Sequence, residues 1–148
     1  GQLHQRLCFD YWIQPLSGAP DRRVCFELGQ RLAAGIACVQ LSEEDRLRWR
    51  TDRPLPDQAG AFQVEGQAVL TSLRRVGAYI EMRLFNPEEH TIMATVLTTD
   101  RPAAWPAPSR FQFVDLESAP QTQPQPLSDG KISFPVPAKK IITLRFLD

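Results

Sequence analysis

The chain carries little that announces a chemistry. Its 17 Lys and Arg are balanced by 17 Asp and Glu, so it has no net field with which to gather nucleic acid or an anionic membrane. Local basic pairs are the most it offers. There are two histidines, His4 and His90, and neither falls in an HxxxH, HExxH or Cys/His spacing; a metal centre would need several unrelated carboxylates to converge on them. Both read as solvated loop residues. The three cysteines, Cys8, Cys25 and Cys38, are an odd set without a CxxC pair, which speaks against a disulfide framework and against a zinc knuckle. Each lies in an apolar run, as the reduced core thiols of a cytoplasmic protein do. No GxSxG elbow, P-loop or GxGxxG is present. The longest apolar runs, such as residues 32–39, are far shorter than the ~20 residues that span a bilayer, and no stretch has the basic start and apolar middle of a signal peptide.

What the sequence does have is alternation. Residues 69–87, VLTSLRRVGAYIEMRLFNP, hold two runs of alternating polarity joined at Arg74, Arg75, Val76 and Gly77, the pattern of a β-hairpin. Ile80, Met82 and Leu84 fall on one face and Tyr79, Glu81, Arg83 and Phe85 on the other, so the second run offers an apolar face to a core. Asn86-Pro87 stops it, because proline lacks the ladder donor and biases the residue before it towards extended or turn geometry. Arg83 and Asn86, polar at the strand's end, are expected to secure the turn that follows.

Further strands are predicted at residues 7–13, which are aromatic enough for a central position, and at 36–41, 61–65, 91–97, 111–116, 131–136 and 141–147. The run at 91–97 is expected to pair back on the hairpin. Pro135 points outward on the phase of its run, which places that strand at an exposed edge. Asp129-Gly130 is a turn dipeptide. Val24, Cys25, Leu28 and Leu32 recur at helical spacing, predicting one short helix over residues 21–32 capped by Ser17 or Asp21. Residues 42–60 read as an insertion or edge segment that starts in a Ser42-capped helical turn or a solvated loop. Residues 119–126, APQTQPQP, read as a linker that does not pack. About nine strands with frequent turns give an all-β, antiparallel β-sandwich with one short helix near the N-terminus, a single domain over residues 1–148.

Carboxylate pairs are the remaining route to catalysis. Glu43-Glu44-Asp45 and Glu88-Glu89 lie in turns and read as solvated surface, while Asp10, Glu65, Glu81 and Asp115 sit inside strands with nothing in their spacing to pair them. Trp12 belongs to an apolar strand and reads as core. Trp49 and Trp105 lie in polar or proline-rich loops, where an exposed indole can stack on a sugar, pack on a neighbouring domain, or pin its own loop to the sandwich.

The order of the strands resembles the C-terminal β-domain of glycoside hydrolase family 38, the α-mannosidase family, in its bacterial form. The likeness rests on the aromatic run at 7–15 with its turn and helix, on 61–65, and on VLTSLRRVGAYIEMRLFNP, where Arg83-Leu84-Phe85-Asn86 matches an Arg-Leu-Tyr-Asn strand with Phe for Tyr. Phe113-Val114-Asp115-Leu116 and Lys140-Ile141-Ile142-Thr143-Leu144-Arg145-Phe146 resemble the next core strand and the closing strand, with Lys140 where an acid is usual. The turn after Arg75 departs from the family, having Val76-Gly77 in place of acidic residues. The resemblance implies a non-catalytic domain, excised from a larger retaining enzyme whose zinc site and Asp nucleophile lie in an absent N-terminal barrel. Gly1 in place of methionine agrees with an excised domain or a cloning scar. The implied partners are the catalytic domain of the same parent chain and, through it, a mannose-containing carbohydrate. Nucleic acid and membrane are not expected. The alternatives are an independent carbohydrate-binding sandwich using Trp49 and Trp105, and a spacer or interaction module.

Overall fold

The computed structural model describes residues 11–35, 42–44, 60–98 and 108–147. Two antiparallel sheets enclose one apolar core. The larger has five strands in the order β2 (Val69–Val76), β3 (Tyr79–Phe85), β8 (Ile141–Leu147), β5 (Arg110–Val114) and β6 (Gln125–Pro126). The smaller has three, β1 (Gln63–Gly66), β4 (Ile92–Leu97) and β7 (Lys131–Val136). With the helix α1 (Arg22–Ala34), this is the all-β sandwich that the alternation predicts. The predicted strand at 36–41 lies outside the described residues, as do Cys8, Cys38, His4, Asp10 and Asp45.

Period-two patterning makes the core. Met82 and Leu84 of β3 and Leu144 and Phe146 of β8 point inward and meet Ala94 and Val96 of β4 and Phe134 and Val136 of β7. Each large side chain removed from water in this way stabilises the fold by about 1.5–3 kcal/mol. Phe113 meets Phe134 edge-on across the two sheets at 5.4 Å, and Phe62 lies tilted on Phe146 at 4.7 Å. Ile80 is half-buried. Leu70 and Leu73 face inward by register with Leu84 and Met82 yet remain 37% and 45% exposed, because a sheet of three strands does not cover the outermost strand of a sheet of five.

Turn chemistry fixes the register at two places. The hairpin loop is shorter than the sequence suggests: β2 runs on through Val76, Val76 pairs with Tyr79, and Gly77 takes a φ of 60°, the positive value that a glycine-first two-residue loop requires. Before β7, Asp129 and Gly130 both have positive φ, 52° and 65°, the mirror-image turn that Asp-Gly favours. Pro135 is exposed on β7, which among the described residues pairs only with β4 and so stands at an edge.

Several expectations fail. Residues 92–97 do not pair back on the hairpin: β4 joins β1 and β7 in the other sheet, because the free side of β3 is taken by β8 along six paired residues. Residues 119–126 are not an unpacked linker. Pro120 bridges Val114, the Gln121 amide donates to the Phe113 carbonyl at 2.8 Å, the Thr122 hydroxyl accepts from the Phe113 amide, and Gln125–Pro126 form β6. Proline is tolerated there because this is an edge. Residues 11–13 form no strand, and Trp12 is 58% exposed instead of core. Apolarity predicts burial only where a ladder or a facing layer receives the strand, and none does so here among the described residues. Cys25 is exposed too, on a helix that buries none of its residues.

The helix is nonetheless anchored. Asp21 caps it, its carboxylate accepting from the Val24 amide at 3.1 Å, and Phe26 meets Phe85 of β3 edge-on at 5.2 Å. Arg22 donates to the Pro87 carbonyl and to Glu89, and Arg23 donates to the Gly66 carbonyl.

Candidate functional site

The densest polar construction lies on the outer face of the larger sheet. Register places Arg74, Glu81, Arg145 and Gln112 side by side across β2, β3, β8 and β5. Glu81 sits on the face the sequence marks as polar, yet its side chain is fully buried, because its neighbours fold over it. Its Oε1 accepts from Arg145 Nε and Nη2 at 3.1 and 2.8 Å, and its Oε2 from Arg74 Nη2 and Ser118 Oγ, both at 2.9 Å. Burial pushes the Glu81 carboxyl up, but hydrogen bonds from Arg145, Ser118 and Arg74 outweigh it and hold the group below the ordinary carboxylate range. A general acid at neutral pH needs the opposite shift and a free lone pair. Glu81 is therefore a hub that is ionised at neutral pH.

What the hub holds is the turn that follows β5. Arg145 Nη2 donates to the Ser118 carbonyl at 2.6 Å, Arg74 Nη2 to Ser118 Oγ at 3.0 Å, and Arg83 Nη2 to the Leu116 carbonyl at 2.7 Å. From inside the turn, Asp115 accepts from the Glu117 and Ala119 amides and from Gln121 Nε2. Ser118 is thereby kept at a φ of 70°, a conformation non-glycine residues rarely adopt. The Arg145 guanidinium also lies 5.2 Å from the centre of the Tyr79 ring, a cation–π contact that orients it. Arg83 Nε is buried without a partner.

Beside the turn, β5 and β8 part after the Val114–Thr143 pair and leave a recess of about 360 Å³. Val114, Leu116, Ile141 and Ile142 line it with Asp115 and Thr143. Leu116 and Ile141 stand at its rim, 56% and 47% exposed.

A second polar construction fixes the crossing from β3 to β4. Asn86, fully buried, donates through Nδ2 to the carbonyls of His90, Val136 and Pro137, and its Oδ1 accepts from the Glu88 amide. It secures the turn as expected, whereas Arg83 reaches a different turn, that of Leu116. Glu89 joins the same corner through Arg22 at 2.6 Å and Lys139 at 3.1 Å, and hydrogen bonds from both hold its carboxyl below the ordinary range.

Trp49 and Trp105, the candidate sugar platform, lie outside the described residues. His90, Glu43, Glu44 and Glu65 are exposed and do not converge. Glu81 and Asp115, unpaired in sequence, are brought to the two sides of one turn. Sequence reasoning gave Arg74 and Arg145 no role and sent Arg83 to the wrong turn; their signal, a charge at the outward phase of each strand, is visible only once the strand order is known. Among the described residues no group of three His, Cys, Asp or Glu could hold a metal ion, and no helix is long and apolar enough to cross a membrane. Compared with protein-family models, with curated proteins and with solved structures, the chain matches none.

Proposed function

We propose that this chain is the C-terminal β-domain of an α-mannosidase-like retaining glycoside hydrolase, non-catalytic itself, which buttresses the catalytic barrel and helps shape the mouth of its cleft. The observation that carries the reading is where the resembling segments fall. Three of the resembling segments, residues 69–87, 113–116 and 140–146, are far apart in sequence, yet they build β2, β3, β8 and the end of β5, consecutive neighbours in one sheet, whereas residues 61–65 run into β1 of the other sheet and residues 11–15 form no strand. Scattered likenesses that describe one continuous sheet are stronger support than the same likenesses dispersed. The Asn86 of the Arg-Leu-Phe-Asn segment has a structural reason to be there, since it closes the crossing between the sheets.

In this reading the zinc and the Asp nucleophile belong to the barrel, the substrate is a terminal α-mannoside, and the enzyme works in the cytoplasm. The test is an aryl α-mannoside assay of the parent polypeptide and of this chain side by side. The parent should turn over with retention and lose activity to a chelator, while this chain alone should not hydrolyse the substrate. Zinc-dependent hydrolysis by the chain alone would overturn the assignment. Saturable mannoside binding by the chain alone, with an inactive parent, would favour an independent carbohydrate-binding module.

A further inference from the structure

We propose that residues 11–16 are a strap that closes on the open flank of this same chain's sandwich, adding a strand beside β1 and covering Leu70 and Leu73. Two unpartnered apolar features belong to one side of the molecule. On β2, Leu70 and Leu73 face the space between the sheets and are 37% and 45% exposed, because the three-stranded sheet stops short of them. Ahead of the helix, Tyr11, Trp12, Ile13 and Leu16 are 84%, 58%, 95% and 52% exposed on a stretch that forms neither helix nor strand. Bringing the two together removes both from water. The space is there to receive the strap: Phe113 of β5 meets Phe134 of β7, so β7 lies over the β5 end of the larger sheet and β1 towards the β2 end. Among the described residues β1 pairs only with β4, and a fourth strand on its other side would lie over β2.

The fastening of α1 brings the strap to this flank. Arg23 donates to the carbonyl of Gly66, where the chain leaves β1 for β2, and Arg22 donates to the carbonyl of Pro87 just beyond β3. From Arg22 back to Ile13 is about 30 Å of extended chain, and from Gly66 on to Leu73 about 25 Å, so the strap reaches both leucines from that anchor. The bend at residues 17–19 packs against nothing at Gly18 and serves as the hinge. The sequence of the strap suits the place. In extended chain Tyr11 and Ile13 share one face, which lies on Leu70 and Leu73, while Trp12 and Gln14 face out. Pro15 ends the pairing because it has no amide hydrogen to give. A second copy is the poorer occupant, since a segment tethered this closely acts at an effective concentration on the order of millimolar.

The experiment is amide hydrogen exchange on the whole 148-residue chain as wild type, as Tyr11→Asp with Ile13→Asp, and as Leu73→Asp. Amides of residues 11–14 should exchange at least about tenfold more slowly than in an unstructured peptide of the same sequence, and both variants should abolish that protection. Tyr11 and Ile13 are too exposed for their replacement to threaten the sandwich. If Leu73→Asp does not fold, cross-linking decides. With Cys8, Cys25 and Cys38 replaced by Ser, Ile13→Cys with Leu73→Cys should close a disulfide within one chain, and Ile13→Cys with Ser133→Cys, on the outer face of the smaller sheet, should not. Unprotected exchange of residues 11–14 in the wild type would overturn the proposal, as would failure of the first disulfide or equal formation of the second. Protection that survives in a folded Leu73→Asp would place the strap elsewhere and sink the idea. Protection or cross-linking that vanishes on dilution would do the same, since the strap would then close on a second copy.

Discussion

Asn86 and Glu81 are the two residues whose loss the fold should feel most for their size, for opposite reasons. Asn86 is neutral and serves three carbonyls from two other segments, so replacing it with Ala strands buried acceptors. The cost should be about 3 kcal/mol in chemical denaturation, given the penalty for unsatisfied buried polar groups. A loss below about 1 kcal/mol would mean that water takes over its role. Glu81 is charged, and its removal leaves Arg145, only 12% exposed, without a counter-ion. Glu81→Gln should cost on the order of 3 kcal/mol at neutral pH. The pH dependence has a definite sign. The folded-state pKa lies below the ordinary 4.5, so the stabilisation is complete above 4.5 and is lost as pH falls from there through the folded value. The wild-type protein should therefore lose stability through that acid range, and Glu81→Gln should lose less. Some slope should persist in the variant, since Glu89 is also held low by Arg22 and Lys139. Parallel pH profiles for the two proteins would show that Glu81 titrates normally.

Among the elements, the β3 strand was the most legible in sequence. Its inward phase, its stop at Asn86-Pro87 and the burial of Met82 and Leu84 all follow from alternation and from proline chemistry. Leu84→Ala should cost roughly 2–5 kcal/mol, because Leu84 is fully buried between the sheets. A change near zero would mean that Leu84 does not face the core, or that the hairpin is wrong, since even full collapse of the cavity leaves the lost transfer free energy. Partnership was not legible. Alternation says that a strand has two faces but not which strand lies beside it, so residues 92–97 were expected on the wrong sheet, and the Arg74–Glu81–Arg145 row could not be assembled. Composition also misled at residues 119–126, where a proline- and glutamine-rich run still forms an edge by offering carbonyls and a Thr hydroxyl to β5. The Asp129-Gly130 turn was legible and carries its own test. Gly130 has a φ of 65°, and a Cβ there would stand 2.5 Å from the Thr98 hydroxyl oxygen. Gly130→Ala should destabilise by more than the roughly 1 kcal/mol of a strained turn alone, and pairing it with Thr98→Ala should recover part of the loss. Additive losses would show that the contact is not the cause.

At the scale of the whole molecule, stability should fall outward from one seam. β3 and β8 are paired on both sides and supply Met82, Leu84 and Leu144, all fully buried, whereas β1, β2, β6 and β7 each pair on one side among the described residues. The helix lies outside this gradient, fastened by Asp21, Arg22, Arg23 and Phe26 but burying none of its own residues. Local opening follows such differences, since a segment with few buried apolar contacts opens without unfolding the rest. Native-state hydrogen exchange should therefore rank the amides of β3 and β8 slowest, those of the edge strands intermediate and those of α1 fastest. The turn at residues 115–118 is the informative exception. By position it is a surface loop and should exchange quickly, yet the Glu81 hub ties it to β2, β3 and β8 at once. The Ser118 amide, which donates to the Asp115 carbonyl, should exchange nearer the rate of the central strands than of the helix. In Glu81→Gln it should accelerate by more than the global loss of stability explains. Exchange at the helix rate in the wild type would show that the arginines decorate this turn without holding it.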